Sequence, residues 1–396
     1  MCIRDSLNII LKSFQIYKNM GNKVSSDDSF GKIIIMTQKK KYIAGEQVNG
    51  WINVSLLKPF PSSELYLLIE GKEKTKVVDS RTYTNSEGHT RTEYYTRKDK
   101  NVFYEHTFPI YNFNTNYVNP GQYSFPFSFT LGEHLPGSFE YYWNSNGYEP
   151  YGKIRYKITA GFKDHNSSTS IYDKFDIVVD QKMQNGGTYL MPKPFEANVS
   201  GYCYTSHGNF KLAAVFSNDR YLVGDLAEMS IAVDATRADT DIKNIKCELI
   251  MDTFVTAQGK TNNHSTVVQS VMLPGIAKGQ ARVNENSIPV RLNIMTKGEL
   301  QATSSGTLVK NNFKLRIMGE VDGCVCYSDH PQTSLPVWIY NKNFGAQSLP
   351  VMNNLIPNWQ PQTYNQFVCQ MTDNNRMTSD FRNKMGYTQP VEMPNY

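Results

Sequence analysis

Cysteine is scarce in this chain: there are six in 396 residues, at positions 2, 203, 247, 324, 326 and 369. That density is far from a small disulfide-stapled secreted domain and points to reduced thiols inside a cell. Long apolar runs are missing too. The longest purely aliphatic stretch is Ile33 to Met36, flanked by charge, whereas a helical membrane span needs ~20 apolar residues. Residues 7–17 are only weakly apolar and contain Lys12 and Gln15. No small-residue cleavage site follows them, so they do not read as a signal peptide. Nor is there a dominant charge. Lys plus Arg is 41 against 36 for Asp plus Glu, a net charge of +5. Nucleic-acid binding usually calls for a domain pI above ~9 and a concentrated basic stripe, so no nucleic-acid partner is expected.

Catalytic motifs are equally absent. The seven histidines stand at 89, 106, 134, 165, 207, 264 and 330, none with His-Glu-x-x-His spacing. There is no Gly-x-Ser-x-Gly elbow, no phosphate-cradling Gly-x4-Gly-Lys-[Ser/Thr] and no Gly-x-Gly-x-x-Gly. Cys324-Val325-Cys326 with His330 offers three zinc ligands and no evident fourth. Two small residues in a strand beside Gly323 account for that spacing equally well. No Asp or Glu stands on a recognisable acid–base motif. The expectation is a protein that is not an enzyme and has no cofactor and no metal.

What the chain does have is aromatics, 12% of residues, spread through short alternating runs. Leu65, Leu67 and Ile69 share one face, with Gly71 read as the end of the run. Tyr123, Phe125, Phe127, Phe129 and Leu131 make an unbroken apolar face, and Pro126 inside it argues for an edge strand or a bulge. Ile154, Tyr156 and Ile158 alternate, as do Phe175, Ile177 and Val179, Ile245 to Met251, and Phe313 to Ile317. No strong amphipathic helix is evident.

An internal repeat organises these strands. Residues 42–54 and 221–233 both fit Tyr-φ-[Ala/Val]-Gly-[Asp/Glu]-x5-Ile-x-Val, where φ is an apolar residue. Gly45 and Gly224 admit a positive φ torsion; Glu46 and Asp225 follow, and an alternating strand begins. The expected fold class is therefore all-β: two tandem antiparallel immunoglobulin-like sandwiches. The boundaries read as a 1–29 N-terminal segment, a 30–182 first domain, a 183–200 linker, a 201–342 second domain and a flexible 343–396 tail. The linker carries Gly186-Gly187, Pro192 and Pro194, and the tail is rich in Asn, Gln, Met and Pro.

The first nineteen residues resemble translated adapter sequence, and on that reading Met20 starts the protein. Met20-Gly21-Asn22-Lys23-Val24-Ser25 then fits the N-myristoylation pattern at Gly21. One acyl chain holds a membrane only marginally, so a basic patch would be the second signal. Two cation clusters qualify. One is Lys39, Lys40 and Lys41. The other runs from Lys72 to Lys100, with Lys74, Lys76, Arg97 and Lys98. They read either as solvated faces or as contacts to an anionic partner, an inner-leaflet lipid or a phosphorylated peptide.

The motif residues resemble the arrestin fold family, in particular its arrestin-domain-containing (α-arrestin) branch. Tyr42, Gly45, Glu46, Val48 and Gly50 fit that family's Tyr-x-x-Gly-Glu-x-Val-x-Gly pattern. Pro120-Gly121 with Phe125-Pro126-Phe127, then Leu135-Pro136, resembles a second family segment. In the C-terminal half, Tyr221, Gly224, Asp225 and Pro336 stand in runs similar to the family's first and last strands.

The resemblance implies an adaptor. Its expected partners are cytoplasmic tails or loops of membrane proteins, together with ubiquitin-ligase or coat components. It would sit in the cytoplasm, peripherally on the plasma membrane or endosomes. A retromer-type endosomal coat subunit is the close alternative, and an extracellular structural sandwich the more distant one. Departures from the pattern exist. The tail lacks Pro-Pro-x-Tyr, and the end of the first domain lacks the phosphate-sensing arginine of receptor-type arrestins. Tyr364-Asn365-Gln366-Phe367 has Tyr-x-x-φ form.

Overall fold

A computed structural model describes residues 29–163, 170–182, 195–200, 206–216, 218–322, 330–341, 352, 355–356 and 358–369. The first half contributes β1 (Gly31–Thr37), β2 (Lys41–Ile43), β3 (Gln47–Leu56), β4 (Glu64–Thr84), β5 (Thr90–Asn112), β6 (Gly121–Thr130), β7 (Phe139–Tyr142), β8 (Tyr151–Lys163) and β9 (Ser170–Asp180). The second half opens with β10 (Phe195–Ser200), β11 (Ser206–Phe216), β12 (Arg220–Leu222), β13 (Leu226–Ala238), β14 (Ile242–Ala257) and β15 (Lys260–Ile276). It closes with β16 (Ala281–Arg282), β17 (Ile288–Asn293), β18 (Ser304–Ser305), β19 (Val309–Val321) and β20 (Gln332–Tyr340). Two further strands, β21 (Gln362–Thr363) and β22 (Phe367–Cys369), come last. A 3-10 turn, Asn284–Asn286, lies between β16 and β17.

Each half is a two-sheet sandwich. In the first, a sheet ordered β1-β3-β6 faces one ordered β2-β9-β8-β4-β5, with β7 added on β8. In the second, β10-β11-β13 with β16 and β17 faces β12-β20-β19-β14-β15, with β18 on β19. Alternation fills the cores. Val48, Ile52 and Val54 meet Phe125, Phe127 and Phe129 in one. Ile231 and Val233 meet Leu249, Leu315 and Ile317 in the other.

The repeat is reproduced bond for bond. β2 pairs in parallel with β9, placing Tyr42 opposite Val179. β12 pairs in parallel with β20, placing Tyr221 opposite Ile339. Gly45 has φ +87° and Gly224 φ +91°, the left-handed region that only glycine enters without cost. The N–H of Gly45 donates to the Gly132 carbonyl, and that of Gly224 to the Ile294 carbonyl. The acid that follows caps the turn. Glu46 Oε2 accepts the Ile43 N–H at 2.9 Å, and Asp225 Oδ2 accepts the Leu222 N–H at 2.7 Å. An acid after the glycine is thus a local hydrogen-bonding requirement.

Three expectations change. Gly71 does not end its strand: β4 runs through it for 21 residues. A Cβ there would lie 2.9 Å from the rings of both Phe103 and Tyr156, so glycine serves close packing. The stretch assigned to the linker includes β10, which pairs antiparallel with β11. The stretch assigned to the flexible tail includes β21 and β22, both paired in parallel with β6. Pro126 does stand in what would otherwise be an edge strand, as its missing N–H requires.

Candidate functional site

The outer face of the β4–β5–β8 sheet gathers the basic residues. Strand register decides this, because directly paired residues share a face. Lys74 is opposite Lys100 on β5 and Lys153 on β8. Two residues on, Lys76 is opposite Lys98 and Tyr151. Two residues before, Lys72 is opposite Arg155. Buried Glu73, Thr75 and Val77 alternate with them on the inner side. A cluster that is scattered in sequence becomes three adjacent rows.

One side of this face is neutralised and the other is not. Glu140, on β7, accepts from Arg155 Nη2 at 2.6 Å and pairs with Lys153 Nζ at 3.1 Å. Burial works to raise its carboxyl, but the bonds from Arg155, Tyr142 and Lys153 win and hold it at about 2. Lys72 pairs with Glu70. Lys76 lies over the Tyr151 ring, 5.6 Å from its centroid. Among the described residues, Lys74, Lys76, Lys98 and Lys100 make none of the ion pairs, and Lys74, Lys98 and Lys100 are exposed.

Like charges set directly opposite one another cost a sheet stability, and here two such pairs are adjacent. Strand spacing puts the four stems at the corners of a rectangle of about 5 by 7 Å. An array of that pitch presents several ammonium groups to one phosphoryl or carboxylate ligand, or to a row of lipid headgroups.

The other expected cations lie elsewhere. Arg97 turns away from the lysine rows and pairs with Asp79 Oδ2 at 2.6 Å. Lys39 pairs with Glu46 and lies over the Tyr42 ring. Lys41 sits on β2 opposite Val178; burial raises the nearby Asp180 carboxyl, and the Asn341 hydrogen bond and the Lys41 charge offset part of that rise. Strand order places β2 beyond β9 and β8 from β4 and β5, so Lys41 stands apart from the lysine rows. Gly21 lies outside the described residues, as do Cys324 and Cys326.

Several family-motif residues are buried or closely packed. Tyr42 and Tyr221 are buried, as are Phe125, Phe127 and Leu135. The Pro136 carbonyl accepts the Tyr156 hydroxyl at 2.5 Å. A Cβ on Gly50 would fall 2.4 Å from the Met36 carbonyl oxygen. Gly121 opens β6, and Pro336 lies within β20 opposite Lys314.

A second polar cluster, missed from sequence, joins the two sandwiches. Glu73 is fully buried. Its Oε1 accepts the N–H groups of Leu308 at 3.1 Å and Val309 at 3.2 Å, and its Oε2 accepts Asn101 Nδ2 at 3.0 Å. Burial raises its pKa, and those hydrogen bonds offset part of the rise. Nearby, Thr75 Oγ1 donates to the Thr256 carbonyl at 2.8 Å, and Asn262 bonds both backbone groups of Val78. Ser304 Oγ donates to the Gly137 carbonyl, and Asn341 Nδ2 to Asp180 Oδ1. The signal that could have found this joint is a pair of acids, Glu73 and Asp79, on the inward phase of an alternating strand.

Cys247 is buried, and burial pushes its thiol up to about 12, which keeps it protonated and inert. No cluster of three metal-ligating side chains occurs among the described residues.

Two sandwiches in tandem, each opened by the same parallel strand and acid-capped glycine turn, have their counterparts among known proteins. Residues 31–184 match the family described as arrestin (or S-antigen), N-terminal domain, and residues 206–344 match arrestin (or S-antigen), C-terminal domain. The chain belongs to the arrestin family. It is also similar to arrestin domain-containing protein A of Dictyostelium discoideum, at 32% identity over 115 residues. That alignment covers 28% of this chain and 20% of the relative. The arrestin N domain carries the lysine rows, and the buried Glu73 contact ties it to the arrestin C domain.

Proposed function

We propose that this arrestin-family protein is a non-enzymatic adaptor. It captures cytoplasmic tails or loops of membrane proteins and links them to endocytic, sorting or signalling machinery. It works from the cytosolic side of the plasma membrane or endosomes. The observation that carries this reading is the arrestin N–C domain pair with an unneutralised lysine array on the outer face of its N domain. Such an array suits an anionic partner, either a phosphorylated segment of the cargo or the headgroups of the membrane that bears it.

Proximity labelling with the tag at the C-terminus, which leaves Gly21 free, tests the proposal. Membrane proteins with cytoplasmic segments should be enriched, together with coat or ubiquitin-ligase components. Labelling confined to soluble proteins unrelated to membranes would refute it.

A further inference from the structure

One segment of the N domain packs into both cores. Tyr141, next to the end of β7, lies against the hydrophobic core of each sandwich. Beside it, the Glu140 N–H crosses the joint and donates to the Leu300 carbonyl of the C domain at 3.0 Å. Trp143 follows. It packs on a small apolar cluster drawn from both domains, Val77 of β4 with Val255 and Ala257 of β14. Ser145 and Tyr148 exchange two backbone hydrogen bonds and close the turn back to β8. Both rings therefore project from a short, closed hairpin.

His264 of β15 completes the contact from the C-domain side. Its ring stacks on Trp143 at 5.5 Å and 17°, and lies 5.9 Å from the Tyr141 ring. His264 Nε2 is 3.0 Å from Thr266 Oγ1, which is 3.4 Å from the Tyr141 hydroxyl. A neutral imidazole can accept the Thr266 hydroxyl at that nitrogen, whereas an imidazolium can only donate. The surroundings also disfavour the charged ring. Thr253 stands opposite it on β14. Burial first, and then the like charge of Lys297 on the segment after β17, hold its pKa below the ordinary 6.5. The carboxylates of the joint are committed elsewhere, Glu140 to Arg155 and Lys153, Asp79 to Arg97 and Lys260. Glu299, two residues beyond Lys297, is exposed. An indole face attracts a cation, but here the ring must shed water and sit by Lys297 to gain that attraction.

We propose that the Trp143–His264 stack is a proton-operated latch between the two arrestin domains. Neutral His264 holds the β7 turn on the C domain, and protonation releases it. Acidification then frees the two sandwiches to move against one another. The latch lies apart from the lysine rows and does not rest on the adaptor reading. Its sign is definite. A group whose pKa is depressed in the closed state stabilises that state above the open-state value, about 6.5, and the stability is lost as pH falls through the closed-state value. Buried Glu73 acts in the opposite direction, because its pKa is raised.

Hydrogen exchange of the Glu140 amide in the full chain reads the latch, since that N–H donates across the joint. After correction for intrinsic exchange, its protection in the wild-type chain should fall severalfold between about pH 7.5 and 5. His264→Phe keeps a ring on Trp143 and cannot be protonated, so its protection should hold level or rise as Glu73 takes up a proton. Thermal melting at neutral pH verifies that the variant folds; should it fail, His264→Gln takes its place. In a chain carrying 13C-labelled histidine, the resonance missing from the His264 variant should titrate below 6.5. Trp143→Ala should move that titration up towards the ordinary value, because burial is relieved. The same pH dependence of Glu140 protection in wild type and His264 variant would overturn the inference. So would a His264 resonance that titrates at or above 6.5 in the wild-type chain.

Discussion

At the scale of single residues, the most informative group is Glu73. A fully buried carboxylate with backbone and amide donors around it forms a joint only while its oxygens accept. Truncation to alanine strands the N–H groups of Leu308 and Val309, each costing ~1–3 kcal/mol when left buried and unpaired. Glu73→Ala should therefore lose several kcal/mol in chemical denaturation. Glu73→Gln keeps an acceptor and removes the buried charge, so it should be close to neutral at pH 7. The pH dependence has a definite sign. Burial raises the folded pKa, so the folded chain holds that proton more tightly than the unfolded one. The resulting stability is present in acid and is lost as pH rises through the raised pKa. Glu73→Gln should lack that loss, which paired denaturation curves from pH 4 to 8 would read. A steeper loss in the glutamine variant would contradict this account. Other residues were legible from sequence alone. Tyr42, Gly45 and Glu46 announce a turn because glycine must take a positive φ and the acid must cap it. Glu73 did not announce itself, because its partners come from 235 and 236 residues away in the chain.

At the scale of elements, period-2 alternation located the strands but not their lengths. Gly71 read as a stop, yet it lies within the 21-residue β4, where neighbouring rings take the space a side chain would fill. The basic cluster was visible as composition. Its geometry was not, because only register shows Lys74 meeting Lys100 and Lys76 meeting Lys98. Arg97, from the same run, ends up on the other side of the sheet. The β4–β5 lysine array carries a prediction of its own. Each lysine near an anionic surface contributes about 1 kcal/mol. Lys74→Glu with Lys98→Glu should reduce binding to phosphatidylserine vesicles by at least about tenfold and flatten the salt dependence. Exposed Lys32 and Lys58 lie off this sheet. Changing both to glutamate alters net charge equally and should have little effect in vesicle co-sedimentation. Equal losses from the two double variants would mean that only overall charge matters and that the array has no special role.

At the scale of the whole molecule, the two sandwiches meet along their longest hairpins. The β14–β15 turn, with Gln258 at φ +49° and Gly259 at φ +77°, rests against β5. Gln258 N–H donates to Asp99 Oδ2 at 3.2 Å, and Arg97 Nη1 to the Gln258 carbonyl at 3.3 Å. Asp79 is the hub of this contact. It accepts the Tyr95 hydroxyl at 2.8 Å and pairs with Arg97 of its own domain and with Lys260 of the other, at 3.2 Å. The Tyr95 hydrogen bond leads the groups that hold its carboxyl well below the ordinary range, with Lys260 and Arg97 adding to it. A depressed folded pKa gives stability that is present above the unfolded value, about 4, and is lost as pH falls towards the folded one. Asp79→Asn removes the charge at every pH. The wild-type chain should therefore hold its interdomain contact better than the variant at neutral pH, and the difference should close in acid. Hydrogen exchange of the Gln258 amide reports that contact directly, since its N–H donates across the joint. Faster exchange in Asp79→Asn at pH 7, with the gap starting to narrow only as pH falls below about 4, is the expected pattern. An unchanged rate at neutral pH would assign the joint to Glu73 and its neighbours, with the hairpin tips merely touching.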